Sequence, residues 1–205
     1  DVCSSDLDTG VSRETLERLQ AYADLLTTWN AKINLIGRAT VADLWWRHML
    51  DSAQLAPLLP DRPLTLVDMG SGAGFPALVL AAMGRVSAHL IEGDQRKSAF
   101  LREAARIMGL PVQVHACRTD AAPAIQADVI SARALAPLAD LLALAERFSG
   151  PSTIHIYPKG QNVEAELTQA HKIWTMRLEK FPSRTESAAS ILRLSEVRRV
   201  QPGTA

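Results

Sequence analysis

Apolar residues recur three and four apart from Leu16 through Leu19, Tyr22 and Leu26 to Trp29, with Ser12 ahead of them and acidic residues early in the run. That stripe predicts a capped amphipathic helix. Thr40 precedes a second run carrying Leu44, Trp45, His48, Leu55 and Leu59, which predicts a helix over 41–59 that stops at Pro60-Asp61-Arg62-Pro63. From Leu64 the rhythm changes. Short apolar runs predict strands near 64–69, 87–92, 111–115, 128–131 and 152–157, alternating with helical patterns over 75–84, 94–108, 137–148 and 163–173. Two last β-rich stretches, 174–181 and 191–200, have only a short Ser/Thr-rich connection and so predict an antiparallel hairpin. The alternation predicts an α/β fold with a mostly parallel sheet. On this reading residues 12–63 form an N-terminal helical cap and residues 64–205 the core of what is one structural domain overall, with no internal repeat. Residues 1–11 are expected to be disordered or non-native: no methionine starts the chain, and Asp1 to Leu7 fits neither a signal peptide nor the helix that follows.

The most informative stretch is Leu66-Val67-Asp68-Met69-Gly70-Ser71-Gly72-Ala73-Gly74-Phe75-Pro76, an apolar run that ends in an acid and then in closely spaced glycines. Glycine admits backbone angles that a side chain forbids, and its missing Cβ lets a ligand lie against the main chain. The helix that follows would present free N–H groups to that ligand. A second acid, Glu92, closes the next apolar run about 20 residues on, the spacing of a carboxylate that binds ribose hydroxyls. A dinucleotide fingerprint wants G-x-G-x-x-G, but Phe75 stands where its third glycine should fall. No lysine follows as in a phosphate-binding Walker loop. The pattern looks like the S-adenosylmethionine site of Rossmann-like class I methyltransferases, which has no pyrophosphate to cradle.

Composition narrows the class without choosing a partner. Twenty-two basic residues balance twenty-two acidic ones, and the net charge runs −3, +1 and +2 over residues 1–64, 65–160 and 161–205. That gradient is too weak to announce a polyanion. No segment is apolar for long enough to span a membrane, Cys3 and Cys117 are too few for a disulfide framework or zinc cluster, and the histidines lack ligand spacing. A cytoplasmic, metal-free monomer is the expectation.

Dispersed segments carry a closer likeness. Trp29-Asn30 with Asn34-Leu35, Arg47-His48 with Asp51-Ser52, Gly70 to Pro76, Leu90-Ile91-Glu92 with Arg96-Lys97 and Phe100-Leu101, Ser131 to Ala134, and Lys159-Gly160 occur in order. Together they resemble the glucose-inhibited division protein B family, small-subunit ribosomal RNA guanine-N7 methyltransferases, over residues 12–200. The resemblance implies a class I methyltransferase fold with a C-terminal hairpin, S-adenosyl-L-methionine as cofactor, and 16S ribosomal RNA or the small subunit as partner. It implies cofactor contacts at Gly70, Ser71, Gly72 and Phe75, at Thr119 and Asp120, and at Arg133, with Glu92 on the ribose. Gly93 stands where the family commonly has serine, and Asp120 where glutamate is common.

The residues agree with that chemistry. Guanine N7 holds an in-plane lone pair and attacks a sulfonium methyl without first losing a proton, so alignment and electrostatics suffice. The chain shows no Ser/His/Asp triad, no paired carboxylates and no Asn-Pro-Pro-Tyr motif. Arg133, after the fourth strand, is the candidate catalytic residue, holding either the cofactor carboxylate or the target nucleotide. Arg47, His48, Arg96, Lys97, Arg118 and Lys159 are the candidates for RNA contact. Blander readings stand beside these: an Arg47–Asp51 pair within the helix, Asn30 ending the first helix, a solvated face for Arg96 and Lys97, and packing for Trp29, Trp45 and Trp46. A small-molecule methyltransferase with a helical lid and a non-catalytic RNA-binding factor are the competing functions.

Overall fold

The computed structural model describes residues 11–200. Its seven-stranded sheet has the order β3-β2-β1-β4-β5-β7-β6. Strands β1 (Thr65–Met69), β2 (Ser87–Ile91), β3 (Val112–His115), β4 (Val129–Ser131) and β5 (Ile154–Lys159) run parallel. The hairpin β6 (Trp174–Pro182) and β7 (Ser190–Arg199) closes the sheet, with β7 antiparallel to β5. Parallel pairs need crossovers. Helices α3 (Ala77–Ala82), α4 (Gln95–Met108) and α5 (Leu138–Ala145) supply them between β1 and β2, β2 and β3, and β4 and β5. Between β3 and β4 there is only a 3₁₀ turn, Thr119–Ala121, and α6 (Val163–Ala170) leads from β5 to the hairpin.

Central strand β1 is buried from Leu66 to Met69, which is why its sequence is apolar but for one acid. Its period of two sends Leu66 into one core and Val67 and Met69 into the other. In the first core Leu19, Tyr22 and Leu26 of α1 (Arg13–Asn30) meet Phe100 and Leu101 of α4. Each fully buried side chain of this kind contributes about 1.5–3 kcal/mol relative to leaving it in water. In the second, Leu138, Leu141 and Leu142 of α5 pack with Leu167 of α6. Ser12 caps α1 by accepting the Thr15 amide at 3.2 Å. Asn30 ends it, its Oδ1 accepting the Leu35 and Ile36 amides.

The helix expected over 41–59 is broken. A 3₁₀ turn at Arg38–Thr40 is followed by a π-helix at Trp45–Leu50 that runs into the single turn α2 (Asp51–Ala53), and a 3₁₀ turn at Ala56–Leu58 begins beside Pro57. Local periodicity yields here to side-chain demands. Ser52 turns its hydroxyl back to the His48 carbonyl at 2.7 Å, and His48 and Asp51 both take Arg133, in the loop after β4, as a partner. The expectation for residues 1–11 lies outside the described residues except at Val11. Strand order reverses between β1 and β4, and the C-terminal ends of β1, β2 and β4 converge there, as ligand crevices require.

Candidate active site

The loop after β1 uses its glycines differently. At Gly72, φ is +56°, and an added Cβ would meet nothing nearer than the Gly70 carbonyl at 3.9 Å, so this backbone is bare toward open space. At Gly74 an added Cβ would run into Leu78, so the missing side chain lets the loop pack on α3. The Gly72 amide donates to Glu92 Oε2 at 2.8 Å, and Glu92 Oε1 accepts the Asp94 amide at 2.8 Å. Asp94 in turn caps α4, accepting from the Arg96 and Lys97 amides. One carboxylate thus ties the ends of β1 and β2 together.

Gly70, Gly72, Glu92, Thr119, Asp120 and Arg133 line a cavity of about 430 Å³, with Lys97 and Arg118 also on its wall. Arg118 pairs with Asp120 at 3.0 Å, so the acid at that wall is balanced. Ser71 and Phe75, expected as cofactor contacts, are buried and line neither this cavity nor the second cleft beyond Arg133. The Ser71 hydroxyl donates to the Asp68 carbonyl. Arg96 pairs with Asp94 and lines neither cavity described here.

Beneath the loop sits Asp68. Ser131 donates to its Oδ1 at 2.6 Å, whereas the buried Oδ2 has no partner. Burial pushes this carboxyl up to about 7, against the pull of Ser131 and of the Arg133 charge. A buried acceptor left single-handed is unusual, and a cation or donor brought close would relieve it.

Arg133 occupies the boundary. Its Nη1 donates to Asp51 Oδ2 at 3.3 Å, its Nη2 lies 2.8 Å from His48 Nδ1, and its guanidinium sits 5.0 Å above the Phe75 ring. His48 stacks on the same ring, with centroids 5.0 Å apart. A guanidinium only donates, so Nδ1 accepts, and the imidazole is neutral with its proton on Nε2, facing Thr40 Oγ1 at 2.9 Å. Burial and the Arg133 charge lower His48 to about 4, in keeping with that assignment. Asp51 Oδ1 accepts from Thr185 Oγ1 at 2.6 Å. Ala134, next to Arg133, holds a left-handed φ of +53°, local strain of the kind that collects at functional loops.

On the other side of Arg133-Ala134-Leu135 opens a second cleft of about 700 Å³, reached by His48, Asp51 and Thr185. Arg47 lines it but pairs with Glu186 at 2.7 Å, not with Asp51, which belongs to Arg133. Lys159 ends β5 with its side chain 9% exposed, held by Glu166 at 2.7 Å and by the Ala136 carbonyl at 2.9 Å. Glu166 also accepts the Leu138 amide. This lysine therefore pins the loop that carries Arg133. Sequence reasoning did not single out Asp68 as a site residue although it closes an apolar strand, nor Asp51 except as Arg47's partner. Thr185 lay in a stretch legible only as a turn.

A mostly parallel seven-stranded sheet with a glycine-loop cavity at its switch point is the architecture of class I methyltransferases. A ribosomal protein L11 methylase from Lactobacillus delbrueckii subsp. bulgaricus shares it with a TM-score of 0.60 at 18% identity, over 71% of this chain and 76% of that one. So does an S-adenosylmethionine-dependent methyltransferase from Aquifex aeolicus, with a TM-score of 0.59 at 15% identity over 74% and 92%. Within that class, the chain belongs to the GidB family, rRNA small subunit methyltransferase G, whose model matches residues 15–191. The ribosomal RNA small subunit methyltransferase G of Rhodospirillum centenum is 57% identical over 188 residues, covering 92% of this chain and 87% of the relative. That of Rhodospirillum rubrum is 50% identical, covering 94% and 96%.

Proposed function

We propose that this chain transfers a methyl group from S-adenosyl-L-methionine to N7 of a guanine in 16S ribosomal RNA of the small subunit. The carrying observation is that two cavities, one under the glycine loop and one under the cap, share the wall Arg133-Ala134-Leu135. A donor in the first and a base in the second would face each other across it. Family membership and the relatives' names support the same activity.

The residues fit the donor on structural grounds: open backbone at Gly72, the unpartnered Asp68 Oδ2, and the Glu92 carboxylate at the right strand end. When bound, S-adenosylmethionine supplies a methyl group on a cationic sulfur. Gly72 admits its adenosyl part against the main chain, Gly70 lines the same cavity with Leu135 packed where a Cβ would stand, Glu92 takes the ribose hydroxyls, and Thr119 with Asp120 flank the base. Asp68 offers negative charge beneath its amino acid end. Arg133, fixed by His48 and Asp51, holds either the donor's carboxylate or the guanine at the junction and is the residue assigned to catalysis.

No base is required, and none is free among the named cleft residues. Both nitrogens of His48 are engaged, and Asp51 is shared among Arg133, Thr185 and Gln54. Catalysis then consists of lining up N7 with the methyl carbon and sulfur and of excluding water. Arg47, His48, Lys97, Arg118 and Lys159 each line one or the other cavity and stand as RNA contacts, with Arg96 at the periphery. Residues 12–63 act as the cap and 64–205 as the catalytic core of one cytoplasmic monomer. No described helix is long and apolar enough to cross a membrane, and no group of three metal-ligating side chains occurs among the described residues.

The test is incubation with methyl-labelled donor and small subunits or their RNA, followed by mass spectrometry of the nucleosides. Label in 7-methylguanosine is expected; label elsewhere or nowhere, in every assembly state, refutes the reading.

A further inference from the structure

The four tryptophans do not serve alike. Trp29 packs on Phe100 with centroids 5.7 Å apart, Trp45 packs on the first core, and Trp174 is buried. Trp46 is 51% exposed. It stands beside Arg47 in the π-helix, and its Nε1 donates to the Thr185 carbonyl at 3.2 Å. Both Arg47 and Thr185 line the second cleft, so the indole is fixed at its mouth.

The charges around it are mixed but lean positive, with the exposed acid Asp43 three positions before Trp46 set against two exposed arginines. Arg47 is balanced by Glu186, but Arg38 and Arg184 are exposed and form no ion pair among the described residues. Arg38 lies in the 3₁₀ turn between Gly37 and Thr40, both of which line the cleft, and Arg184 lies between Ser183 and Thr185, which also line it. The Arg184 amide is anchored on Gln54 Oε1 at 2.8 Å, leaving the guanidinium outside. A rigid aromatic face flanked by uncompensated cations is the arrangement that single-stranded nucleic acid seeks, bases on the ring and phosphates on the arginines.

We propose that Trp46 is a stacking platform for an RNA base next to the target guanine, with Arg38 and Arg184 holding the adjoining phosphates. The inference rests on the rRNA reading and adds a route for the strand to that site. Stacking on a fixed face outside the cleft would hold the strand splayed, with its neighbour free to enter.

The test measures binding of protein-free 16S RNA apart from methyl transfer. Trp46→Ala is expected to weaken RNA binding roughly 5- to 150-fold, the range of one lost base–aromatic stack, while cofactor affinity and melting temperature stay put. Trp46→Phe keeps a stacking face but loses the donor to Thr185, and should retain most of the affinity. Arg38→Ala and Arg184→Ala should each flatten the slope of log affinity against log salt by about 0.7–1. Unchanged RNA affinity in Trp46→Ala overturns the proposal. So does an equal loss in Phe and Ala with a lower melting temperature, which would make the indole a latch on Thr185. A loss seen with intact subunits but not with RNA would assign the ring to a ribosomal protein and overturn it as well. Failure of the unsubstituted protein to transfer methyl while still binding RNA through Trp46 strikes the rRNA methyltransferase reading instead.

Discussion

The Arg133 guanidinium lies 2.8 Å from the Nδ1 of His48, joining a loop at the end of β4 to the π-helix of the cap across 85 positions of sequence. With Asp51 as second acceptor and Phe75 as floor, the arginine has one well-defined pose at the boundary of both cavities. Pre-set placement of this kind is what an alignment-driven reaction needs.

Arg133→Ala should therefore cost activity far more than fold. It strips Asp51 and His48 of a partner at a partly buried site, for about 1–3 kcal/mol of stability. The transfer rate is expected to fall by about 10²-fold, the scale of losing one charge-stabilising group. Arg133→Lys retains charge but cannot reach both acceptors in one plane, and should fall between. Steady-state kinetics beside thermal melts check both, and a variant with full activity removes Arg133 from the site.

Gly72→Val should abolish cofactor binding and leave the fold in place. A β-branched side chain at φ +56° is strained, and its atoms would project into the space a ligand needs. The matched control is Gly109→Val at the end of α4, where φ is +62° and an added Cβ meets nothing within 4 Å. Both should lose about 1–2 kcal/mol of stability, and only the first should lose calorimetric binding.

Asp68 predicts a pH signature. Its carboxyl titrates at about 7 in the fold against 3.8 in the open chain, so across that window the native state keeps a proton the unfolded state has released. Its contribution to stability is complete below 3.8 and lost as pH rises through about 7. His48 and His155, both lowered to about 4, act in the opposite sense, supporting the fold above 6.5 and failing as pH drops. Asp68→Asn separates the two by removing only the first slope. A cation bound in the cavity would pull Asp68 down, so cofactor binding near pH 6 should release a proton and tighten as pH approaches 8. Calorimetry in buffers of different ionisation heat reads that proton, and the asparagine variant should show neither effect.

Thr185→Val should lower turnover with cofactor affinity intact. It removes the shorter of two donors to Asp51 Oδ1, leaving Gln54 Nε2 at 2.9 Å, and loosens Arg133 at one remove, for about 0.5–1.5 kcal/mol of stability. Thr185→Ser restores the hydroxyl and should restore the rate.

Much of this was legible in the chain. Each strand run and the glycine loop declared themselves because a fully buried parallel strand has to be apolar and a bare backbone has to be glycine. Glu92 was visible from its position at a strand end. The cap resisted reading for the opposite reason. His48, Ser52 and Asp51 take partners that lie 3 to 134 positions away, in and beside a π-helix that no periodicity announces. Trp46 shares its local pattern with two packing tryptophans, and only burial distinguishes it. The pinning of Lys159 by Glu166 likewise depends on α6 returning over the end of β5.

The hairpin turn between β6 and β7 is clasped to the cap by Thr185 on Asp51, Arg184 on Gln54 and Glu186 on Arg47. Ser183, Thr185 and Glu186 of that turn all open on the second cleft, so one of its walls is held by ties between residues 130 to 139 positions apart. The glycine loop, by contrast, is tied by Glu92 to the neighbouring strand end only 20 positions on. The two cavities therefore differ in how far along the chain their walls are gathered.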